Sequence, residues 1–415
     1  MPDVLELCRR AKAASTILAA TPGATRDAAL RAMADALEDG RDALVEANQR
    51  DVARAREGGE SATIVDRLTL TEKRLGAMAE GLRAVAAQPD PVGEVIEGWR
   101  RPNGLTINKV RVPLGVVAVI YEARPNVTSD VAGLCLKSGN ACVLRGSSIA
   151  LDSNLAIARV LADAATKAGL PEGSISMIED ADRSSARDLM RAKGLVDLLV
   201  PRGGKALIES IESEATVPYI IDGDGNCHVY VDRSADPKMA TEIVINAKTQ
   251  RPSVCNAAET LLVHAELADK WLPGTLDALA GRDVEIRGDE RVRGLWPQAS
   301  AATDEDWGTE YLDLKLAVRI VDSLDEAIDH VNRWGTSNAE AIVTQDVVAA
   351  RRFAAEVDSG SIFVNTSTRF SDGGEFGYGA EIGISTQKLH ARGPMGPREL
   401  TTAKYVVWGD GQVRN

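Results

Sequence analysis

Cys255 stands in the run Gln250-Arg251-Pro252-Ser253-Val254-Cys255-Asn256, after a helical pattern and before an apolar one. A cysteine in such a turn can reach a cleft, and the cationic Arg251 favours its thiolate, which is the form that attacks an acyl carbon. The competing reading is a small buried hydrophobe, the usual state of a free cysteine. Cys8, Cys135, Cys142 and Cys227 lie inside helix or strand patterns, and there the structural reading applies. Ala123-Arg124-Pro125-Asn126 follows an apolar strand pattern. Arg124 can grip a carboxylate or phosphate with two parallel hydrogen bonds, and Asn126 can donate to an oxyanion. A polar loop capping a helix explains the same residues equally well. Two further segments suit phosphate groups, Gly139-Asn140-Ala141-Cys142-Val143-Leu144-Arg145-Gly146-Ser147-Ser148 and Val200-Pro201-Arg202-Gly203-Gly204-Lys205. Each is a strand end followed by small or hydroxyl residues, and the second opens a helix whose free amides can hold an anion. No Gly-x-Gly-x-x-Gly follows a strand, so the common dinucleotide fingerprint is missing.

The elements that must position these residues can be read from the apolar spacing. Residues 3 to 88 recur at helical spacing, punctuated by Gly23, Gly40 and Gly58-Gly59, and Thr69 with Glu72 suggests a capping box. Residues 98 to 112 predict a β-hairpin around Pro102-Asn103-Gly104. From Pro113 short apolar runs alternate with helical ones, with strands at Gly115–Tyr121, Ala141–Leu144, Ser174–Ile178, Val196–Val200 and Val217–Ile221. Non-alternating apolar strands joined by helices predict a parallel sheet covered on both faces, of the doubly wound kind. A second α/β stretch begins near Asn226, with a helix at Lys238–Gln250 and strands at Glu259–His264 and Ser361–Asn365; a β-like run at Thr401–Trp408 follows near the end.

The 415 residues exceed one ordinary core, so two or three domains are expected. With 44% hydrophobic and 26% charged residues the balance is globular. A net charge of −13 without a basic stripe argues against a nucleic-acid partner. No apolar run spans a bilayer and the first ten residues lack a signal-peptide core, so no membrane association and a cytoplasmic location are expected. Five cysteines without paired spacing read as reduced thiols, and four scattered histidines form no metal motif, so no metal is expected.

In this order the pieces resemble the aldehyde dehydrogenase superfamily, over roughly three-quarters of the chain. The resemblance is carried by Pro113-Leu114-Gly115-Val116-Val117, by Gly139-Asn140 with Arg145 where the family has Lys, by Glu310 in Thr309-Glu310-Tyr311-Leu312, and by Ser359-Gly360-Ser361-Ile362-Phe363-Val364-Asn365. It implies an α/β fold: a doubly wound cofactor domain over 1–97 and 113–225, an α/β catalytic domain over 226–385, and a β-hairpin oligomerisation flap over 98–112 with 386–415. It also implies Cys255 as nucleophile, Asn126 in the oxyanion hole, Glu310 on the nicotinamide ribose, and a homo-oligomer. Where ordinary members carry a water-activating glutamate in Glu-Leu-Gly-Gly, this chain has Ile221-Asp222-Gly223-Asp224-Gly225-Asn226. The loss suits a thioester that exchanges with phosphate rather than water. The strings around Tyr121–Thr128, Gln250–Asn256 and Gly393–Thr402 resemble the branch of the superfamily that reduces L-glutamyl 5-phosphate to glutamate 5-semialdehyde in proline biosynthesis. That resemblance implies NADPH as cofactor, and a glutamate 5-kinase as partner. Ser148 stands where the family's ribose-binding acid would be, with Arg145 and Ser147 nearby, which suits a 2′-phosphate. Gly203 and Gly204 complete the expected cofactor set, and Arg124 and Arg251 are candidates for the substrate's anionic groups. A hydrolytic aldehyde dehydrogenase, a catalytically silent homologue and a reductase of another acyl phosphate are the rival readings.

Overall fold

The computed structural model describes residues 3–180 and 182–414, and the backbone alone at Lys205. Five helices come first: α1 (Val4–Leu18), α2 (Gly23–Asp39), α3 (Arg41–Glu57), α4 (Ala62–Leu68) and α5 (Glu72–Ala87). In α2 the buried residues Ala29, Leu30, Met33, Ala34 and Leu37 follow the three-and-four spacing of one helix face. The expected capping box is displaced. Thr71 caps α5 by accepting from the Arg74 amide, while the Thr69 hydroxyl donates back to the Val65 carbonyl at 2.6 Å and closes α4. A threonine two residues nearer the helix won because Thr69 is still held by the preceding turn.

The hairpin follows, β1 (Val95–Arg100) and β2 (Thr106–Pro113), its first strand starting earlier than expected. Next come β3 (Val116–Tyr121), α6 (Asn126–Lys137), β4 (Ala141–Arg145), α7 (Leu151–Lys167), β5 (Ile175–Met177), α8 (Arg183–Met190), β6 (Leu198–Arg202) and α9 (Lys205–Glu214). The four strands form a parallel sheet in the order β5-β4-β3-β6. Every residue of β3 is buried, as a strand covered on both faces requires. The run Val217–Ile221 is not a strand. Only the pair Leu199 and Tyr219 bridges, because Pro218 has no amide hydrogen to extend the ladder.

The second half holds β7 (Cys227–Val231), α10 (Pro237–Thr249), β8 (Ala258–His264), α11 (Ala265–Ala280), β9 (Glu285–Gly288), α12 (Glu290–Leu295), β10 (Ser300–Ala301), α13 (Asp304–Trp307), β11 (Lys315–Val321), α14 (Leu324–Trp334), β12 (Ala339–Val343), α15 (Val347–Glu356) and β13 (Ser361–Val364). Its strands form one seven-stranded parallel sheet ordered β10-β9-β11-β8-β7-β12-β13. Leu261, Val229, Val318 and Ala341 are buried on it among Trp271, Leu272 and Leu276 of α11.

Two compact units result. One comprises Met1–Ile221, Gly377–Gly383 and Met395–Asn415; the other Asp222–Phe376 and Ile384–Pro394. The expected flap segment 386–415 is therefore shared between them. Ile384–Ser385 pairs with Gly393–Pro394, and Arg392 binds Asp358 at 2.8 Å, both inside the second unit. In the first unit the C-terminal strand Thr401–Trp408 runs antiparallel to β2 and completes a three-stranded sheet with β1. The Gly139-Asn140 motif serves this joint: Asn140 accepts from the Gly115 amide at 2.8 Å and donates to the Leu400 carbonyl at 2.8 Å. Gly115 has φ +129, and a Cβ there would sit 2.2 Å from an Asp197 oxygen, so this position of the motif requires glycine.

The start of α7, the helix that follows β4, is fixed by a remote carboxylate. Asp51 of α3, fully buried, accepts from the Ser153 amide at 2.7 Å and the Ser153 hydroxyl at 2.5 Å, capping α7 from outside its own sequence. Asp51→Ala leaves these donors unpaired in the interior and is expected to lower stability by about 2–3 kcal/mol. Urea unfolding measures it, and an unchanged midpoint would contradict the capping role.

Candidate active site

The second unit carries Cys255, Arg251 and Glu310. Cys255 lies in the loop between α10 and β8 and is half-buried, whereas Cys8, Cys135, Cys142 and Cys227 are buried. Burial pushes the Cys8 thiol up to about 11 and also raises Cys227. The Cys255 backbone is held from the side: the Cys227 thiol donates to the Cys255 carbonyl at 3.2 Å. A Cβ on Gly225 would fall 1.7 Å from that same carbonyl oxygen, so only glycine permits the approach. The stretch that lacks the family's glutamate is thus packed directly against the candidate nucleophile.

Glu310 braces this arrangement. Its Oε1 accepts from the Gly225 amide at 2.8 Å. Burial first, then the charges of Asp224 and Asp222, lift the Glu310 carboxyl to about 7 against the opposing Gly225 hydrogen bond. The loop bearing Glu310 is itself tied down, since Glu259 accepts from the Leu312 amide at 3.1 Å. Glu259 pairs with Lys248 at 2.5 Å, both side chains fully buried. Burial raises Glu259 to about 7 and lowers Lys248.

Arg251 is exposed and makes no hydrogen bond or ion pair among the described residues. Arg369, which sequence reasoning missed, lies on the turn Thr368–Phe370 and donates through Nε to Gln250 Oε1 at 2.9 Å. Burial draws its guanidinium below the ordinary value; Asp372 opposes this, Arg251 adds to it, and the negative form of Cys255 opposes it. Its only sequence signal was a cation just past the Val364-Asn365 strand end.

The first unit carries the remaining candidates. Arg124 is half-buried in the loop after β3, where its amide donates to the Glu122 carbonyl at 2.7 Å. Asn126 opens α6 with an exposed side chain whose Nδ2 donates to Asp130 at 2.9 Å. Burial raises Asp130 to about 6 in spite of that bond and of the Arg202 charge. Arg145 ends β4 and donates to the Asp182 carbonyl at 3.2 Å. The Ser147 hydroxyl accepts from the Ile149 amide at 3.3 Å, and Ser148 is exposed on the same turn. Gly204 caps α9, and its amide donates to Glu122 at 2.7 Å, so the Glu122 carboxylate already stands where an anion was expected. A cavity of about 370 Å³ opens beside the carboxyl ends of β3 and β4, lined among others by Ile120, Arg145, Arg183, Arg187 and Leu207. Arg183 and Arg187 lie on α8 and were not singled out from the sequence. Among the described residues no cluster of side chains suits a metal, and no helix is long and apolar enough to cross a membrane.

A thiol on a loop beside a parallel sheet, with Gly225 and Glu310 bracing its backbone, is the arrangement to set against known proteins. The model of the aldehyde dehydrogenase family matches residues 2–293 and 316–388, and the chain belongs to that family of oxidoreductases. Within it, the chain is 58% identical over 406 residues to the gamma-glutamyl phosphate reductase of Moorella thermoacetica, covering 98% of this chain and 97% of that one. The crystal structure of gamma-glutamyl phosphate reductase from Thermotoga maritima superposes with a TM-score of 0.97 at 46% identity, covering 100% of both chains. The corresponding structure from Saccharomyces cerevisiae is 30% identical, with a TM-score of 0.56, covering 100% of this chain and 99% of that one. The α/β architecture with its antiparallel hairpin sheet is that of the aldehyde dehydrogenase fold.

The raised Glu310 carboxyl has a sign that can be measured. A carboxyl lifted in the folded state stabilises the fold below its ordinary value of 4.5 and loses that contribution as pH rises through about 7. Glu310→Gln keeps the acceptor for Gly225 without the charge. It is expected to exceed the parent chain in stability by about 2 kcal/mol at pH 8, a gap that closes towards pH 4.5. Equal stability of both proteins across that range would overturn the assignment.

Proposed function

We propose that the chain is a cytoplasmic reductase that converts L-glutamyl 5-phosphate to L-glutamate 5-semialdehyde and phosphate, with NADPH as reductant. The observation that carries this reading is the half-exposed Cys255, braced by a glycine-rich stretch in which the hydrolytic glutamate is replaced. The named relatives at 58% and 46% identity support the choice of substrate.

The Cys255 thiolate attacks the acyl carbon, and the cations Arg251 and Arg369 favour that ionised form. The Cys255 amide holds the oxyanion, and the family resemblance assigns the same role to Asn126, whose side chain here donates to Asp130. Expulsion of phosphate leaves a thioester on Cys255. NADPH, when bound, supplies the hydride that converts the thioester to a thiohemiacetal. The thiohemiacetal, formed as its anion by hydride addition, collapses to the aldehyde and returns the Cys255 thiolate with which the cycle began. Glu310 orients the nicotinamide ribose while bracing Gly225.

The first unit holds the adenosine half of the cofactor in this reading. The cavity beside β3 and β4 is large enough for such a group, and Arg145, Arg183 and Arg187 suit a 2′-phosphate better than a free hydroxyl. Ser147 and Ser148 present hydroxyls at the same strand end, and Gly203 and Gly204 open the neighbouring helix, although Glu122 must release the Gly204 amide before a phosphate can use it. Incubation with glutamate 5-semialdehyde and NADP+ should yield NADPH only when inorganic phosphate is present, and Cys255→Ala should abolish turnover while retaining cofactor binding. An equal rate without phosphate would favour the hydrolytic dehydrogenase.

The hairpin sheet acts as an oligomerisation flap. It exposes Trp99, Tyr405, Val407 and Trp408, and its outer strands leave backbone groups open to another chain. Sedimentation should find a homo-oligomer, and Trp408→Lys with Val407→Lys should shift it towards monomer; a parent chain that sediments as monomer would sink the flap.

A further inference from the structure

A guanidinium taken partly out of water is normally matched by a carboxylate. Arg369 is half-buried yet forms no ion pair among the described residues, where the one hydrogen bond of its guanidinium goes to the neutral amide of Gln250. Asp372 acts on it through space only. The two terminal nitrogens, the pair that grips a planar or tetrahedral anion, carry no hydrogen bond within the described chain.

The position of this unmatched cation is fixed. The Thr368 hydroxyl donates to the Asn256 carbonyl at 2.7 Å, and the Asn256 side-chain amide donates to the Ser371 carbonyl at 2.9 Å. The turn carrying Arg369 is thus stapled to the residue after Cys255, while Gln250 at the other end of the cysteine loop holds Nε. Arg251 on the same loop lies within electrostatic reach of Arg369, so two like charges are kept together there. Such a pair is costly alone and favourable around a dianion.

We propose that Arg369, with Arg251 beside it, seats the phosphoryl group that leaves when Cys255 attacks. The assignment rests on the reading of Cys255 as nucleophile towards an acyl phosphate. The phosphoryl oxygen is bonded to the carbon that the sulfur attacks, whereas the substrate's own carboxylate lies at the far end of its carbon chain. A cation stapled to the cysteine loop therefore meets phosphate first. In the step, the sulfur–carbon bond forms and the carbon–oxygen bond to phosphorus breaks. The electron pair departs on the phosphate oxygen, where Arg369 takes up the developing charge; nothing is oxidised or reduced. In reverse, the same guanidinium aims inorganic phosphate at the thioester.

The test uses the full chain in the oxidative direction, with glutamate 5-semialdehyde, NADP+ and varied inorganic phosphate. Arg369→Gln is expected to raise the phosphate KM by roughly 30-fold, while the semialdehyde KM shifts by less than about threefold, and Arg369→Lys should fall between. In the parent protein, millimolar phosphate should also slow alkylation of Cys255 by iodoacetamide, a readout that needs no variant to fold. An unchanged phosphate KM, a rise in the semialdehyde KM instead, or no protection of Cys255 would each overturn the assignment. If the parent protein forms NADPH equally without phosphate, the acyl-phosphate reading fails with it. A phosphate-dependent parent with an indifferent Arg369→Gln removes Arg369 alone.

Discussion

The backbone of Gly225 passes so close to Cys255 that a single methyl group would collide with the cysteine carbonyl. This contact fixes much else in the second unit. It forces glycine into the stretch that in other family members presents a catalytic glutamate, and it gives Glu310 an amide to brace. It also leaves the Cys255 carbonyl to be shared with the Cys227 thiol. A cysteine loop packed this closely has its backbone position set before any ligand arrives.

Charge is sorted around this point. The chain as a whole is acidic, at −13. At Glu310, burial and then the charges of Asp224 and Asp222 lift the carboxyl to about 7, and Glu310 in turn adds to the burial that raises Glu259. Around Cys255 the local sign is reversed, with Arg251 and Arg369 on the loop and on the turn stapled to it. In a chain of net negative charge, such a local reversal of sign is a matter of these two side chains alone. The buried Lys248–Glu259 pair sits beneath, and its value is geometric: it ties α10 to the segment carrying Glu310.

Much of this architecture was legible from the residues. Apolar runs without alternation located β3, β4 and β8 almost to the residue, and the helix before Cys255 and the strand after it placed the thiol on a loop. What escaped depends on contacts between residues far apart in the chain. Asp51 caps a helix that begins a hundred residues later, and nothing local announces it. Glu122 occupies the Gly204 amide, so a sequence that looks like an empty anion cradle already holds a carboxylate. Arg369 went unnoticed in the sequence, because its bond to Gln250 and the tether of its turn to Asn256 join residues more than a hundred positions apart. Val217–Ile221 had strand composition, but Pro218 removed the donor that a ladder needs. Local pattern determined the elements; pairing across the chain determined which polar groups are free to act.

Asn140 binds the carbonyl of Leu400, 260 residues further on, and β2 takes the strand Thr401–Trp408 as its partner. During synthesis on the ribosome the first unit therefore cannot close until Leu400 and the strand Thr401–Trp408 have been made. Until then β2 offers a bare edge, and Asn140 lacks its acceptor. Early collapse gains little from a contact of such long sequence separation, so completion of this sheet belongs to the slow end of folding. Until that point the edge of β2 is open to another chain, and a stop codon before Leu400 would take the acceptor from Asn140, 260 residues earlier.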